Sequence, residues 1–166
     1  MSLQGEIRHV SSDVAREGLL RLNNHSAEET SLLCLERFEQ LLNWSSLKLF
    51  IPPDAALLIA FDQASLYDGA NYLWFRERYR DFLYIDRVIV AQSHRRSGMG
   101  RALYAEAFNY ARKVGHARIA CEVNLSPPNP ASESFHAELG FKEVGKATLD
   151  DGAKTVRYLV AECACG

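Results

Sequence analysis

Residues 84–115 read "YIDRVIVAQSHRRSGMGRALYAEAFNYARKVG", and the change of period inside this stretch decides the fold. With Phe82 and Leu83 in front, "FLYIDRVIV" (82–90) is β-branched and aromatic, the composition of a central strand. The segment 100–115 switches to helical spacing, with Leu103, Ala107, Tyr110 and Ala111 on one face and Gly115 suited to the C′ position. Between the two stand Arg95, Arg96, Ser97, Gly98, Met99 and Gly100. The first turn of a helix carries free N–H groups and a partial positive charge. Glycines let a phosphate approach those groups, and arginines add charge-assisted hydrogen bonds. The turn reads either as a phosphate or pyrophosphate site or as a solvated basic turn closed by glycines.

Working outward, the same patterns recur. Upstream, "EIRHV" (6–10) reads as a short strand, and 11–26 as a loose helix capped by Ser12 or Asp13. A stronger helix is expected over 26–45: Ser26 and Glu29 form an S-x-x-E capping box, and Leu32, Leu35, Phe38 and Leu42 make an apolar stripe. "LKLFI" (47–51) and "AALLIAF" (55–61) read as strands, the second a continuous buried run. Residues 62–81 are polar and aromatic together and read as a loop with a short helix. Downstream come a strand at 116–124, a loop "LSPPNP" (125–130), a short helix at 131–140, and two strands split by "DDG" (150–152). A strand–helix–strand unit needs a parallel pair and the hairpins give antiparallel ones, so the reading is one α/β (α+β mixed) domain over 1–166 with a mixed sheet of six to seven strands and about four helices.

Composition narrows the function. A net charge of -2 gives no argument for nucleic-acid binding, and no apolar run approaches membrane-spanning length. The start "MSLQGEIRHV" lacks the basic and apolar regions of a signal peptide. Cys34, Cys121, Cys163 and Cys165 have no zinc-type spacing, which reads as reduced thiols in a bacterial-type cytoplasmic protein without a metal. A Walker P-loop is absent, and Leu103 stands where a Rossmann fingerprint needs its third glycine.

Arg95–Gly100 does match the [RQ]-x-x-G-x-[GA] signature of the GNAT acetyltransferase superfamily, and "NPASESFHAELGF" (129–141) resembles that family's second block. More narrowly, "YIDRVIV", "CEVN" and "PPNPASESFHAELGF" resemble an uncharacterised bacterial branch of predicted GNAT acetyltransferases. The resemblance implies the GNAT fold and an acetyl-CoA cosubstrate in a gap where the fourth and fifth strands splay. It implies that the backbone of Val88, Ile89 and Val90 pairs with the pantetheine arm. Arg95, Arg96, Ser97, Gly98, Met99 and Gly100 would hold the pyrophosphate with Arg101 at the rim, and Asn129 would touch the cofactor arm or orient a water. The "SPP" insertion at 126–128 lengthens the loop leading to Asn129.

The implied reaction moves an acetyl group to a primary amine of a small molecule or a protein by direct attack. An amine with a pKa of about 10.4 is protonated near neutrality, so a group must accept its proton. Glu122 matches a general-base glutamate of several family branches, and Asp86 competes, although Arg87 beside it favours ion pairing. His136 stands where many members place a tyrosine that protonates the departing thiolate; imidazole keeps acid capacity, and a packed histidine is the competing reading. A backbone N–H near Ile89 or Val90 would polarise the thioester carbonyl. Tyr67, Tyr72, Trp74, Phe75 and Tyr79, with Arg76, Arg78 and Arg80, read as an acceptor surface or as core aromatics beneath a solvated face. Asn23 and Asn24 read as turn partners or further acceptor contacts. Two other functions stay open at this point: a CoA-binding regulatory module without turnover, and a protein-interaction domain. Homodimers are frequent in the superfamily.

Overall fold

The structure is a computed structural model that describes residues 5–27, 30–126 and 128–163. Seven strands of the described residues form one sheet: β1 (Arg8–His9), β2 (Leu47–Ile51), β3 (Ala56–Asp62), β4 (Leu83–Val90), β5 (Arg118–Ser126), β6 (Lys142–Leu149) and β7 (Lys154–Glu162). Among the described residues five helices accompany them: α1 (Arg16–His25), α2 (Leu35–Trp44), α3 (Ala70–Arg78), α4 (Met99–Val114) and α5 (Pro130–Glu138). The strand order is β1-β2-β3-β4-β5-β7-β6, and β4–β5 is the parallel pair among antiparallel neighbours. The mixed α/β architecture expected from the sequence is therefore present.

Each face of the sheet buries a separate cluster. On one face α4 lays Met99, Leu103, Tyr104, Ala107 and Ala111 onto Leu58, Leu83, Ile85 and Ile119. The alanines remove bulk where the helix crosses the strands. On the other face α1, α2 and α3 contribute Leu19, Phe38, Leu42, Tyr72 and Phe75. Gly115 closes α4 at φ 91°, a left-handed conformation that a residue without a Cβ adopts at low cost.

The helix expected over 26–45 begins only at Leu35, with Cys34 as N-cap. Asn24 explains the delay: its side chain donates to the Leu33 carbonyl and accepts from the Leu33 N–H, both at 3.0 Å, while Asn23 donates to the Ser31 carbonyl at 2.8 Å. These side-chain bonds occupy backbone groups that a helix would need. Leu32, placed on the apolar stripe by the sequence, is 75% exposed as a result. Glu29 of the expected capping box lies outside the described residues. Neither Ser12 nor Asp13 caps α1, whose N-cap is Ala15.

A feature of β4 prepares the site. Opposite β3, Ile59 pairs with Arg87 and Ala60 with Ile85, so Asp86 is an extra residue, a β-bulge. On its other edge β4 pairs with β5 only at Leu83↔Ile119 and Tyr84↔Ala120. Beyond that point the two strands diverge.

Candidate active site

The divergence leaves a cavity of about 230 Å³ between β4 and β5, walled by Asp86, Val88, Glu122, Asn129, His136 and Lys154 among others. A second hollow, along Val88, Ile89, Val90, Arg95, Asn129 and Phe135, continues it. A third continues that one over Val90 and Phe135 onto Arg95–Arg101. One groove thus runs from the carboxylates to the start of α4. Val88, Ile89 and Val90 pair with Leu58, Leu57 and Ala56 of β3, while β5 takes no bond from them. Their other edge is open to an added partner.

At the far end Gly98 is the N-cap of α4 with φ 86°. Arg95, Arg96 and Ser97 are exposed, and Met99 is buried beneath the turn. Ser97 Oγ donates to the His94 carbonyl and tightens the turn. Gly100 faces Val90 and Phe135, with room for little more than a methyl group. Arg101 is committed at the rim: it donates to Glu138 at 2.6 Å and lies over the Phe135 ring. Asn129 caps α5, its Oδ1 accepting from the Ser132 N–H at 3.2 Å. Asn129 lines both the cavity and the hollow that continues it. Ser126 ends β5, and Pro127 of the insertion lies outside the described residues.

The three acid–base candidates share the cavity but differ in commitments. Asp86 has both oxygens occupied, one by the Tyr67 hydroxyl at 2.8 Å and one by Arg87 Nε at 2.7 Å. Its side chain is only 6% exposed, and Arg87 is in turn held by Asn23 Oδ1 at 2.7 Å. Among the described residues no cation is bonded to Glu122. Tyr84 donates to its Oε2 at 2.6 Å. Burial, with the neighbouring Asp86 carboxylate adding to it, pushes the Glu122 carboxyl up to about 7; the Tyr84 hydrogen bond, the nearby Asn71 amide and the charge of Lys154 oppose the rise.

His136 has both ring nitrogens engaged. Nδ1 donates to the Ser132 carbonyl at 2.7 Å, so the Tyr104 hydroxyl, also at 2.7 Å, donates to Nε2. Burial lowers the pKa of this imidazole, which favours the neutral ring.

Several partners in this network were not singled out as such from the sequence: Tyr84, Asn71, Tyr104, Ser132 and Lys154. Tyr104, Ser132 and Lys154 line the cavity from α4, α5 and β7, and Tyr84 and Asn71 stand behind Glu122 on β4 and α3, so no short motif joins them. The aromatic–arginine segment divides. Tyr72 and Phe75 are core, Tyr67 bonds Asp86, and Arg76, Arg78 and Arg80 are exposed, with Arg78 stacked 4.1 Å over Trp74. Asn23 and Asn24 are turn and ion-pair partners.

The model of the acetyltransferase (GNAT) family matches residues 22–141. The chain belongs to the GNAT acetyltransferase family. Solved structures agree on the fold along nearly the whole chain. A GNAT-family acetyltransferase from Streptococcus pneumoniae superposes with a TM-score of 0.70 at 21% identity, covering 96% of this chain and 99% of that one. The ribosomal-protein-alanine N-acetyltransferase of Brucella melitensis gives 0.71 at 21% identity, covering 95% and 99%. A chain of the NatC complex bound to Gag peptide and CoA gives 0.74 at 13% identity, covering 96% and 98%. A search of curated proteins finds no match. Membership in this GNAT family makes the chain an acyltransferase by class. Among the described residues no group of three or more metal-ligating side chains is present, and no helix is long and apolar enough to cross a membrane.

Proposed function

We propose that this GNAT protein transfers an acetyl group from acetyl-CoA to a primary amine by direct attack, with Glu122 as the general base. The observation that carries the reading is the pairing of an open β4 edge with a carboxyl group whose pKa, about 7, lies near working pH at the closed end of the same groove. The groove's parts suit this donor: an exposed arginine pair and a helix start for a pyrophosphate, and a bare strand edge for an amide-bearing arm.

Acetyl-CoA supplies an activated thioester carbonyl. The protein's residues move protons and hold positions around it. Glu122, whose carboxyl is pushed up to about 7, takes one proton from the acceptor ammonium. The freed nitrogen lone pair forms the C–N bond and the C–S bond breaks. Nitrogen's second proton goes to the departing sulfur, so the balance closes without a separate acid. In this reading His136, with both nitrogens bonded, positions α5 against Tyr104. Asp86, locked to Arg87 and Tyr67, adds negative charge near the ammonium. The backbone N–H groups near Ile89 and Val90 stand beside the thioester carbonyl.

The test is direct. Protein, acetyl-CoA and a panel of amines are mixed, and free thiol is measured. Amine-dependent thiol release supports the reading. Tight CoA binding with no release from any amine would leave a CoA-binding module instead.

A further inference from the structure

We propose that Asn23 is a positioning residue for the acceptor amine: it ties the segment 30–33, whose Thr30 stands on the cavity wall, to the Asp86–Arg87 pair of β4. The inference rests on the reading that acyl transfer takes place beside Glu122. Asn23 is wholly buried and acts through the wall that it holds.

Asn23 lies in the last turn of α1. A buried primary amide needs partners at both its ends. Here the partners themselves settle which end is which. A guanidinium only donates, so Arg87 Nη1, at 2.7 Å, faces the amide oxygen. A backbone carbonyl only accepts, so that of Ser31, at 2.8 Å, faces the amide nitrogen. The same nitrogen also donates to Asn24 Oδ1 at 3.0 Å. Asn24 in turn takes both backbone groups of Leu33. Two neighbouring side chains thus hold a stretch that belongs to no helix or strand. Thr30 is fixed from the other side as well: its N–H and its hydroxyl both donate to the Ser26 carbonyl at 3.1 Å.

The other half of the connection comes from the bulge in β4. In a regular strand consecutive side chains point to opposite faces. At the bulge Asp86 is the extra residue, and its carboxylate accepts from Arg87 Nε at 2.7 Å. Both side chains are almost wholly buried. A buried ion pair needs its remaining hydrogen bonds met. Asp86 accepts from the Tyr67 hydroxyl, and Arg87 donates to Asn23. A continuous line of hydrogen bonds therefore runs from Tyr67 through Asp86, Arg87 and Asn23 to Ser31. Thr30, Asp86 and Arg87 line the same cavity as Glu122.

The position of Thr30 decides what the connection serves. A general base must meet the nitrogen it deprotonates, so the acceptor sits at the Glu122 end of the groove. The arginine turn lies at the opposite end. Thr30 belongs to the Glu122 end. Releasing the segment 30–33 therefore alters the space that receives the amine. It leaves in place the arginine turn, the open edge of β4 and the bond from Tyr84 to Glu122. Loss of binding that is equal in ground and transition states raises KM and leaves kcat unchanged. The effect thus falls on the acceptor's KM.

The test is steady-state kinetics of the full chain at saturating acetyl-CoA. The probe is the amine of the panel that releases thiol fastest. Asn23→Asp keeps an oxygen for Arg87 and leaves the Ser31 carbonyl without its donor. Its KM for that amine is expected to rise about 10-fold, the worth of one such hydrogen bond, with kcat and CoA affinity held within a few-fold. Asn24 is only partly buried, so Asn24→Ala frees Leu33 without touching Arg87 and gives the same test should Asn23→Asp not fold. A folded variant that melts earlier with an unmoved KM has lost only a structural contact and overturns the inference. A fall in kcat alone, or in CoA affinity alone, overturns it too, because the segment would then serve the chemistry or the donor. A wild type that turns over no amine removes the acyl-transfer reading and this inference with it. Unmoved KM values in active variants remove this inference alone.

Discussion

The turn Arg95–Gly100 and the cavity around Glu122 stand at two ends of one groove and are built in opposite ways. The turn is six consecutive residues, exposed from Arg95 to Gly98, and its binding capacity lies in backbone N–H groups and arginine charge. The cavity draws side chains from β4, β5, β7, α4 and α5. Its acid is bonded to Tyr84, a fully buried core residue. A change of charge in the turn should therefore alter ligand affinity and leave the fold alone. A change in the cavity should alter chemistry and stability together, because the same burial that raises the Glu122 pKa also disfavours its charge in the folded state.

Glu122→Gln breaks this comparison most severely. The rate of acetyl transfer is expected to fall by about 10²–10⁴-fold, the usual worth of a general base, with CoA affinity unchanged. In the wild type, activity should rise with pH through about 7 as Glu122 loses its proton. Stability should run the other way. The folded carboxyl titrates at about 7 against an ordinary 4.5, so between those values the folded state holds the proton more tightly than the unfolded one and stability declines as pH rises. Thermal melting of Glu122→Gln should thus exceed that of the wild type at pH 8 and approach it at pH 5. A variant that loses activity without this pH-dependent gain would separate the two roles of burial.

At the other end, Arg95→Glu and Arg96→Glu should each weaken CoA binding by about 10- to 100-fold, the scale of a charge-assisted hydrogen bond. Added salt should shrink the difference. Melting temperature should hardly move, since both side chains are exposed. Equilibrium binding at two salt concentrations checks this, and an unchanged affinity would remove the pyrophosphate from this turn.

The same contrast explains what could be read before the structure. The turn is contiguous, and its glycines and arginines keep their meaning wherever the chain goes, so "RRSGMG" pointed to a phosphate. The β-branched run at 82–90 and the period switch after it placed β4 and α4 correctly. Glu122, Asp86 and His136 were legible as candidates, but their commitments were not. The bulge at Asp86 depends on pairing with β3, and the bonds of His136 depend on how α5 lies against α4. The misplaced start of α2 has the same origin. A stripe at 32, 35, 38 and 42 satisfies helical period, but Asn23 and Asn24 take the backbone of residues 31–33 for themselves. Side-chain competition for backbone groups leaves no periodic trace.

Smaller effects sharpen the comparison further. His136→Ala strips the buried Tyr104 hydroxyl of its acceptor and should cost about 1–3 kcal/mol of stability by chemical denaturation. If His136 only positions α5, the transfer rate of the folded variant should stay within a few-fold. A loss as large as that of Glu122→Gln would return the imidazole to the chemistry.

The two glycines of the turn give the finest discrimination, because they serve different ends. Gly98 sits at φ 86°, where a Cβ is strained, so Gly98→Ala should cost about 1–2 kcal/mol even though the residue lies on the surface. Gly100 is helical, and a Cβ there meets Val90 Cγ2 at 3.8 Å and Phe135 Cζ at 4.0 Å, ordinary contact distances. Gly100→Ala should therefore leave stability within about 0.5 kcal/mol of the wild type. Both contacts are with side chains of the groove wall, so CoA affinity should also be retained. Loss of affinity in Gly100→Ala would mean that the ligand's path lies deeper against Val90 than the turn alone requires.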